Sequence, residues 1–394
     1  METDHSRPLK IAMIGTRGVP AKYGGFETCV EEIGQRLVSR GHEVAVYCRN
    51  GYYNNGSDTY LGMKRITLPN VAHKSLDTMS HTILSVLHAM WQGYDIYMVF
   101  NAANSLFLLP LRLMGKRIAI NTDGLEWKRP KWGFLGRSFY KFSEKMACLM
   151  ANRLVTDSRG IRQYYYNKHN VDSTEIAYGA PIQYSDDTEL LRALGLEPGE
   201  YFLQITRFEP ENHPLLTIDA YNQLDTNKKL VMVGCNPYPT DYTRYIEDRA
   251  GSRTLLMGCA YDQDLLKALW CQCYAYIHGN SVGGTNPALL QTMASGCFTI
   301  ANDNVFNRDV LGDCGIYTKD NQDDLSKAMQ WALDNEALLD DYRHRARQRI
   351  ADFYTWKRIT DLYEQLFIDL KNGQHPWRIP WHVFFKNLPV PIST

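Results

Sequence analysis

Short apolar runs alternate with helical segments along most of the chain. In the first half, the runs rich in β-branched and aromatic residues predict strands at residues 10–14, 43–48, 64–68, 95–100, 117–121, 153–156 and 175–177. Between the first two runs, Val30, Ile33 and Leu37 recur at helical spacing, and Gly41 follows them as a stop signal. Strands that alternate with amphipathic helices in this way predict βαβ units and a parallel sheet.

A second series of strands begins after a polar, turn-like segment at residues 181–189. These strands are predicted at residues 201–205, 230–233, 254–257, 275–277 and 298–300, and residues 353–370 are predicted as a late amphipathic helix. We therefore predict an α/β chain with a hinge near residue 183 and domains at 1–183 and 184–350, followed by a helix and tail at 351–394. A length of 394 residues is compatible with two or three domains, each with its own core.

The stretch GNSVGGTNPALLQTMASG (279–296) joins a predicted strand to a predicted helix through a glycine-rich turn. Asn286 and Pro287 are typical of a helix N-cap and first helical position, and Gly296 supplies a left-handed stop. In an α/β sheet such a turn lies at the carboxyl edge, where free amides and the helix dipole attract an anion, so we expect a phosphate there. No Gly-Lys-Ser/Thr sequence follows as in a Walker loop, and a purely structural turn between a core strand and a core helix is the alternative.

The loop after the first strand, GTRGVPAKYGGFE (15–27), is also rich in glycine. It lacks the G-x-G-x-x-G spacing of a dinucleotide-binding turn, which argues against a nicotinamide cofactor. Its four glycines, with Arg17 and Lys22, favour close approach of a diphosphate or a sugar, because glycine has no side chain to keep a ligand away.

Composition argues against several classes of function. Lysine plus arginine and aspartate plus glutamate each number 43, so the formal charge is zero and we expect no nucleic-acid partner. The nine cysteines are scattered without a paired CxxC, which predicts a reducing, cytoplasmic location and no structural zinc. The first residues, METDHSRPLK, lack the apolar core of a signal peptide, and no apolar run reaches the ~18 residues of a membrane span.

Five motifs, in order, resemble those of a bacterial group of retaining glycosyltransferases in glycosyltransferase family 4, most of whose known members are rhamnosyltransferases. The motifs are IGTRGVPAKYGGFET (14–28), NTDGLEWKRPKW (121–132), RFEPENH (207–213), HGNSVGGTNPALLQTM (278–293) and NVFNRDVLGDCG (304–315). The resemblance extends from about residue 10 to about residue 370. It implies the GT-B architecture, in which two Rossmann-like domains face each other across a cleft. The second domain holds most of the nucleotide-sugar donor, and the last helix crosses back to the first domain.

The resemblance also implies which residues bind each substrate. The donor residues are Gly15, Arg207, Asn212, Gly283, Gly284, Thr285, Asn286 and Gln291. The acceptor residues are Arg17, Tyr23, Gly24, Gly25, Phe26, Glu27, His81, Glu126, Trp127 and Arg129. Arg207 and Asp123 are the expected catalytic residues, the first because an arginine at a strand end can reach the donor phosphate. The alternatives are a surface arginine paired with a glutamate for Arg207, a turn or cap residue for Asp123, and a structural role for His81.

Two positions depart from the family pattern. Family 4 enzymes commonly carry two glutamates eight residues apart, where this chain has Gly283 and Gln291. Gln291 can accept one hydrogen bond and donate another, but it provides no charge for the ribose hydroxyls of a donor. The missing first glutamate leaves more of the sugar binding to the backbone amides of residues 283–286. The lysine that often follows the arginine of the family is absent here as well.

The expected activity is transfer of L-rhamnose from dTDP-rhamnose, with retention, to a lipid-diphosphate-linked saccharide in cell-surface polysaccharide biosynthesis. No DxD segment lies in a convincing loop after a strand, so we expect no metal and no other cofactor. The alternatives are a UDP- or GDP-sugar donor, a nucleotide-sugar epimerase, and a nucleotide-sugar-binding protein without catalysis.

A basic and aromatic segment at residues 128–145 points to a membrane. It carries six cations against one acid, Glu144, with five aromatic residues between them. Such a segment suits the anionic inner face of the cytoplasmic membrane, where we expect the protein to be peripheral; a solvated amphipathic helix is the alternative. The tail at 371–394 adds three cations and two tryptophans and is expected either to pack on the first domain or to touch membrane. The sequence does not indicate an oligomeric state.

Overall fold

The chain folds into two compact units. The computed structural model describes residues 7–21, 24–52, 57–71, 77–122, 124–129, 132–235, 241–260 and 262–375. The described residues up to Tyr178, together with those from Trp356 onward, form the amino-terminal unit, and those within Gly179–Thr355 form the carboxyl-terminal unit. The sequence prediction placed these two boundaries near residues 183 and 350.

Within the described residues, the amino-terminal unit is built on an eight-stranded sheet. Its strands are β1 (Lys10–Ile14), β2 (Glu43–Arg49), β3 (Thr59–Tyr60), β4 (Met63–Leu68), β5 (Ile96–Phe100), β6 (Ile118–Asn121), β7 (Arg153–Thr156) and β8 (Ser173–Glu175). The spatial order is β3-β4-β2-β1-β5-β6-β7-β8, and only the β3–β4 pair is antiparallel. The strand order therefore reverses between β1 and β5, at the topological switch point where α/β sheets bind ligands.

Amphipathic helices pack against this sheet and bury its strands. They are α1 (Gly25–Ser39), α2 (Asp77–Ala89), α3 (Leu109–Leu113), α4 (Phe134–Met150) and α5 (Arg159–His169), with short 3-10 helices at Ala102–Phe107 and Glu126–Lys128. All five residues of β5 are buried, as the continuous apolar run IYMVF predicts for a central parallel strand.

The described part of the carboxyl-terminal unit contains a six-stranded parallel sheet. Its strands are β9 (Tyr201–Ile205), β10 (Lys229–Val233), β11 (Thr254–Leu256), β12 (Ala275–His278), β13 (Thr299–Asn302) and β14 (Gly315–Thr318). Its helices are α6 (Glu189–Arg192), α7 (Pro214–Asn222), α8 (Asp241–Arg249), α9 (Gln263–Gln272), α10 (Pro287–Ala294), α11 (Val305–Leu311), α12 (Gln322–Asp334) and α13 (Glu336–Phe353), and residues Pro210–Asn212 form a 3-10 turn. The order β11-β10-β9-β12-β13-β14 is that of the Rossmann fold, with the switch point between β9 and β12.

The last described helix, α14 (Trp356–Lys371), belongs to the amino-terminal unit and packs against α1. Buried Tyr363 accepts a hydrogen bond from the Asn121 side chain at the end of β6 (3.0 Å). On the outer side, the Glu364 carboxylate binds the Arg40 guanidinium and the Nε2 atom of His42 (2.7 Å). The chain thus returns to its first unit, as the resemblance implies.

We expect Glu364→Gln to lower the stability of the amino-terminal unit near neutral pH. Burial alone would raise the pKa of Glu364, but the hydrogen bonds from His42 and Arg40 outweigh it and hold the pKa below its usual value. A lowered folded-state pKa contributes stability above the unfolded pKa, and this stability is lost as the pH falls through the folded pKa. About a quarter of the side chain remains exposed, so solvent screening limits the effect to about 1 kcal/mol.

The measurement is the melting temperature of wild type and Glu364→Gln between pH 7 and pH 3. The two curves should be separated at pH 7 and should converge as the pH drops below about 4. A separation that is the same at both ends of this range would contradict the assignment of the ion pair.

The sequence predicted most strands but not all of them. The strands at 10–14, 153–156 and 201–205 are confirmed at both ends, whereas β3 and β14 were not predicted. A disulfide joins Cys235 and Cys259, whose Cα atoms are 5.1 Å apart, and the scattered spacing of the cysteines gave no sign of this pairing. The other seven cysteines are free. Among the described residues, no helix is both long and apolar enough to cross a membrane.

Candidate functional site

The carboxyl edge of the second sheet brings three predicted motifs together. β9 ends at Ile205 and leads into the loop with Arg207. The neighbouring strand β12 ends at His278 and leads into the glycine-rich turn GGTN at residues 283–286, which we call the GGTN turn. β13 lies on the other side of β12 and ends at Asn302, just before the motif that begins at Asn304. The switch point between β9 and β12 is therefore bordered by the residues that the sequence assigned to the donor.

Asn212 ties the first two loops to each other. Its side-chain amide donates to the carbonyl oxygen of Arg207 (2.9 Å), and its side-chain oxygen accepts from the amide of Asn280 (2.7 Å). Ser281 adds a backbone hydrogen bond to the carbonyl of Glu211 (2.9 Å). Asn212 is only 3% exposed, so it positions Arg207 and does not present its side chain to a ligand. The expected contact of Asn212 with the donor stays a prediction.

The third loop is held by two further asparagines that the sequence analysis missed. The carbonyl oxygen of Asn280 accepts hydrogen bonds from the side chains of Asn304 and Asn307, both at 2.9 Å. Asn307 also donates to the carbonyl of Asn302 (2.9 Å), at the end of β13. The loops after β9, β12 and β13 therefore form one hydrogen-bonded network. A signal was present, since asparagines follow each of these strands within a few residues.

Two glycines in the β12 loop have backbone reasons to be glycine. A Cβ atom on Gly279 would lie 2.3 Å from the carbonyl oxygen of Asn212, so only glycine allows the two loops to approach this closely. Gly283 has φ of +152°, a conformation that side chains disfavour, and the space around its Cα is open. The first glycine thus joins the loops, and the second leaves its surroundings free for a ligand.

The GGTN turn ends in a capped helix, as the sequence predicted. The side-chain oxygen of Asn286 accepts from the backbone amide of Ala288 (2.9 Å), and Pro287 is the first residue of α10. The remaining amides of the first turn and the positive end of the helix dipole are the groups that bind anions in proteins. Thr285 next to the cap is 4% exposed. The turn can therefore offer backbone donors, and not the Thr285 side chain, to a phosphate.

Gln291 lies one turn further along α10. Its side-chain oxygen accepts a hydrogen bond from the amide of Gln183 (2.7 Å), which leaves the amide of Gln291 as a donor. Because one of its two acceptor sites is already used, Gln291 can hold a ribose hydroxyl less well than the glutamate of the family pattern.

Arg207 is the charged group that this network leaves available. Its carbonyl oxygen is fixed by Asn212 and by the backbone amide of Glu209 (2.7 Å), whereas its side chain is exposed. Within the described residues, the guanidinium makes no ion pair and no hydrogen bond, which disfavours the alternative of a surface arginine paired with a glutamate. A fixed backbone with a free guanidinium is a suitable arrangement for binding a phosphate.

Two histidines at this edge were not assigned by the sequence. His213, in a left-handed conformation, contacts the carbonyl of Gly279 through Nδ1 (2.8 Å) and begins α7. His278 is 1% exposed, and burial lowers its pKa to about 3, so the ring is neutral and serves the core. Both line a small depression that also includes Asn302 and Lys319.

In the amino-terminal unit, two glutamates of α1 hold the glycine-rich loop. Glu27 accepts from the backbone amide of Arg17 (3.0 Å) and is 7% exposed, and Glu31 accepts from the amide of Ala21 (2.6 Å). Glu27 therefore shapes the loop, and its expected contact with the acceptor stays a prediction. The guanidinium of Arg17 lies 5.1 Å from the ring centre of Tyr52.

Gly15 and Phe26 pack at the switch point of this first sheet. Gly15 has φ of +100°, and a Cβ atom there would lie 2.5 Å from the carbonyl oxygen of Phe100. Phe26, near the start of α1 and after Gly24 and Gly25, makes an edge-to-face contact with Phe100 (5.6 Å between ring centres). Gly15 lies in the amino-terminal unit, unlike the other predicted donor residues, so its donor contact stays a prediction.

Asn104 is a further residue that the sequence did not indicate. Its amide donates to the carbonyls of Gly15 (3.2 Å) and Phe100 (2.7 Å), and its oxygen accepts from the hydroxyl of Thr82 (2.7 Å). Next to Thr82, His81 is completely buried, and burial together with the charge of Arg49 lowers its pKa to about 4. His81 thus presents no surface to a ligand in this structure, which favours the structural alternative.

The motif after β6 is only partly described. Glu126 forms an ion pair with Arg129 (2.7 Å) and accepts from the indole of Trp132 (3.3 Å). The indole of Trp127 donates to the hydroxyl of Tyr164 (3.1 Å). These side chains stabilise one another, and their contact with an acceptor stays a prediction. The predicted residues Asp123 and Tyr23 lie outside the described residues.

Comparison with known proteins agrees with this division of the chain. Residues 9–181 match a family model described as a domain of unknown function, DUF1972, and residues 186–349 match the model of glycosyl transferases group 1. One curated relative is an N-acetylgalactosamine-N,N'-diacetylbacillosaminyl-diphospho-undecaprenol 4-alpha-N-acetylgalactosaminyltransferase from Campylobacter jejuni. It is 22% identical over 287 residues, which are 70% of this chain and 76% of the relative.

Among solved structures, the chain is similar to a sucrose-phosphate synthase from Thermosynechococcus elongatus. The TM-score is 0.80 at 17% identity, over 92% of this chain and 99% of the synthase. HepE from Anabaena in complex with UDP gives a TM-score of 0.74 at 14% identity, over 91% of this chain and 99% of HepE.

The two Rossmann-like parallel sheets and these structural neighbours define the fold as that of the GT-B glycosyltransferases. Residues 186–349, which match the model of glycosyl transferases group 1, contain Arg207, the GGTN turn and α10, and we call them the group 1 domain.

Proposed function

We propose that this chain is a retaining glycosyltransferase that moves a sugar, L-rhamnose from dTDP-rhamnose, to a lipid-diphosphate-linked saccharide at the inner face of the cytoplasmic membrane. The observation that carries the proposal is the arrangement at the switch point of the group 1 domain. There, an exposed arginine follows one strand and a capped helix amino terminus follows the neighbouring strand. The loop that carries the arginine is held by a hydrogen bond from Asn212.

The chemistry of the reaction explains why these groups are needed. Transfer breaks the bond between the anomeric carbon of the sugar and the diphosphate, so negative charge accumulates on the diphosphate oxygens as the bond lengthens. Preorganised donors aimed at that charge are the largest stabilising contribution available to such a reaction. We assign this role to the guanidinium of Arg207 and to the amides around Thr285. The departing diphosphate itself can accept the proton of the acceptor hydroxyl, so no side-chain base is required.

The acceptor is inferred from the curated relative. The name of the Campylobacter jejuni enzyme describes transfer to a saccharide on diphospho-undecaprenol. A chain that is similar to this enzyme over 70% of its length can act on a substrate of the same chemical class. The glycine-rich loop after β1 is the group of residues that we assign to the saccharide. The amino-terminal unit would then bind the acceptor, and the carboxyl-terminal unit would bind the nucleotide sugar.

The choice of donor rests on the five sequence motifs. Rhamnose follows from the resemblance to a rhamnosyltransferase group, whereas the relative transfers N-acetylgalactosamine and HepE was solved with UDP. Gly283 and Gln291 place no carboxylate at the two family positions, so the donor must be held without those charges. UDP-sugars and GDP-sugars are therefore the competing donors in the experiment.

The test is release of nucleoside diphosphate from a panel of dTDP-, UDP- and GDP-sugars, with and without a lipid-diphosphate disaccharide. We expect release of nucleoside diphosphate from dTDP-rhamnose only when the acceptor is present. The acceptor should become heavier by one deoxyhexose residue. Acceptor-dependent release from another donor would refute the rhamnose assignment alone. Conversion of a donor without acceptor would indicate an epimerase, and binding without turnover would indicate a binding protein.

We also predict that transfer does not require an added divalent cation. The charge on the leaving diphosphate would be met by Arg207 and by the amides of the GGTN turn, which leaves no role for a metal in stabilising it. The measurement is the initial rate in excess chelator compared with the rate in magnesium. Complete loss of activity in chelator, followed by recovery on addition of magnesium, would contradict this prediction.

A further inference from the structure

Three neighbouring helices of the amino-terminal unit expose an unusual amount of apolar surface. α2, α3 and α4 all pack against the 3-10 helix at Ala102–Phe107, so they belong to one layer of the unit. The exposed apolar residues on these helices, or just after α2 and α3, are Ile83, Leu84, Leu87, Trp91, Leu109, Leu113, Met114, Phe134, Leu135 and Phe142. We call these residues the exposed apolar face.

Exposure sets this face apart from the rest of the described chain. Phe134 is 84% exposed, Leu135 82%, Leu113 79% and Trp91 75%, and these are the four highest values among the large apolar side chains. Elsewhere, exposed apolar residues such as Tyr245 and Val305 occur singly, which is normal for a protein surface. A group of this size on adjacent helices indicates an interaction surface.

The same segments carry almost no negative charge. The helices α2, α3 and α4 contain two acids: Asp77, which is bound to Arg49 (2.6 Å), and Glu144, which is 5% exposed and bound to Lys168 (3.0 Å) and Tyr164 (2.8 Å). The cations of these helices and of the adjoining residues 114–118 and 127–133 are Arg112, which is 7% exposed, Arg129, which is paired with Glu126 (2.7 Å), and Lys116, Arg117, Lys128, Lys131, Arg137, Lys141 and Lys145. The whole chain is neutral, so the positive charge is concentrated on these segments.

We propose that the exposed apolar face is the surface by which this protein docks on an anionic lipid membrane. Apolar side chains that enter the headgroup region, surrounded by cations that attract anionic lipids, are the two features such binding requires. A second copy of the chain fits less well, because a symmetric contact would bring the same cationic segments together. The tail at 372–394 fits less well for the same reason, since it contains cations and no acid.

The reason for membrane docking rests on the proposed function, since a lipid-linked acceptor is delivered at a membrane surface. The test of membrane docking is independent of catalysis. The protein is mixed with vesicles of phosphatidylcholine alone or with one third phosphatidylglycerol, without nucleotide and without glycolipid, and the bound fraction is measured by sedimentation. We expect binding to the anionic vesicles that weakens as salt increases, because surface charges are screened.

Two double variants test the two features separately. Phe134→Ser/Leu135→Ser removes apolar area, and Lys116→Gln/Arg137→Gln removes charge, and each should lower the vesicle affinity about tenfold or more. Tyr245→Ser is the matched control, because it removes an exposed aromatic ring (58% exposed) in the other unit and should leave the affinity unchanged. All of these side chains are at the surface or half-buried, so the melting temperatures should stay close to that of wild type.

Three results would overturn the proposal. They are equal binding of the apolar variant and wild type, absence of binding to anionic vesicles, and a change of oligomeric state in the apolar variant, which would assign the face to a contact between copies. Arg207→Ala should bind vesicles as well as wild type does. If vesicle binding fails while nucleoside diphosphate release continues with a detergent-dispersed acceptor, this inference is wrong and the proposed function stands.

Discussion

Arg207→Ala is expected to lower kcat/KM for sugar transfer by about 10²- to 10³-fold, the range found when one preorganised donor to a developing anion is removed. The guanidinium is exposed at the switch point of the group 1 domain and has no partner within the described residues that would compete with a phosphate. Its backbone carbonyl is held by Asn212, so the position of the side chain does not have to be established at each turnover. The loss should therefore appear in the chemical step as well as in donor binding.

Two further variants make the Arg207 result specific. Arg207→Lys keeps the charge but loses the planar pair of donors, so an intermediate loss of about tenfold is expected. Arg192→Ala removes another exposed arginine, at the end of α6, and should leave the rate unchanged. The chain just after it, at Gly195, binds the side chain of Lys229 at the start of β10, which is the opposite edge of the sheet. Arg207→Ala should melt as wild type does. A rate within about threefold of wild type would show that the leaving diphosphate is not stabilised by this residue.

Gly279→Ala is expected to destabilise the carboxyl-terminal unit by about 3 kcal/mol and to abolish transfer. A Cβ atom at this position would lie 2.3 Å from the carbonyl oxygen of Asn212 and 3.1 Å from the side-chain amide of Gln204. Neither is the end of a flexible, exposed side chain, because the first is backbone and Gln204 is 1% exposed. The loops after β9 and β12 would have to separate, and the hydrogen bonds between them would be lost.

The measurement for Gly279→Ala is urea unfolding together with the initial rate of transfer. Gly251→Ala is the matched control in the same unit, since its Cβ would meet only an ordinary contact at 3.8 Å and its backbone is not left-handed. The control should keep both stability and rate to within about 0.5 kcal/mol and twofold. If Gly279→Ala is as stable and active as the control, the close contact of the two loops has no importance for the site.

The sequence predicted the parts of the fold that depend on local pattern. Continuous apolar runs between glycine and polar segments located most of the strands, and Asn286 with Pro287 located the start of α10 to the residue. β3 was missed because it has two residues and pairs only with β4 at the edge of the sheet. β14, GIYT, was missed because four residues between a turn and a helix give too little periodicity.

The sequence could not predict how the loops of the site are joined. Asn212 was assigned to the donor because it lies in a motif. In the structure one end of its side chain binds Arg207 in its own loop, and the other end binds Asn280, which is 68 residues away. Glu27 and His81 were assigned to the acceptor for the same reason, and both are buried. A motif identifies residues that matter, whereas contact with a ligand depends on long-range packing that local pattern does not contain.

The same limit applies to the cysteines and to the exposed apolar face. Cys235 and Cys259 become neighbours because they follow the adjacent strands β10 and β11. Their separation of 24 residues in the sequence does not by itself distinguish them from unpaired cysteines. The basic segment at 128–145 was visible in the sequence. The sequence did not show that α2 and α3 belong to the same layer, because this follows only from the contact of all three helices with the 3-10 helix at Ala102–Phe107.

The central claim is that a nucleoside diphosphate binds at the carboxyl edge of the second sheet, and the most direct measurement is thermal stabilisation by dTDP, UDP and GDP species. A ligand at about 100 times its dissociation constant stabilises the folded state by roughly 2.7 kcal/mol, which gives a clear rise in melting temperature. We expect a rise with dTDP and dTDP-rhamnose that Arg207→Ala abolishes and Arg192→Ala preserves. If no nucleotide raises the melting temperature, or if the rise is unchanged in Arg207→Ala, the nucleoside diphosphate does not bind at this edge through Arg207.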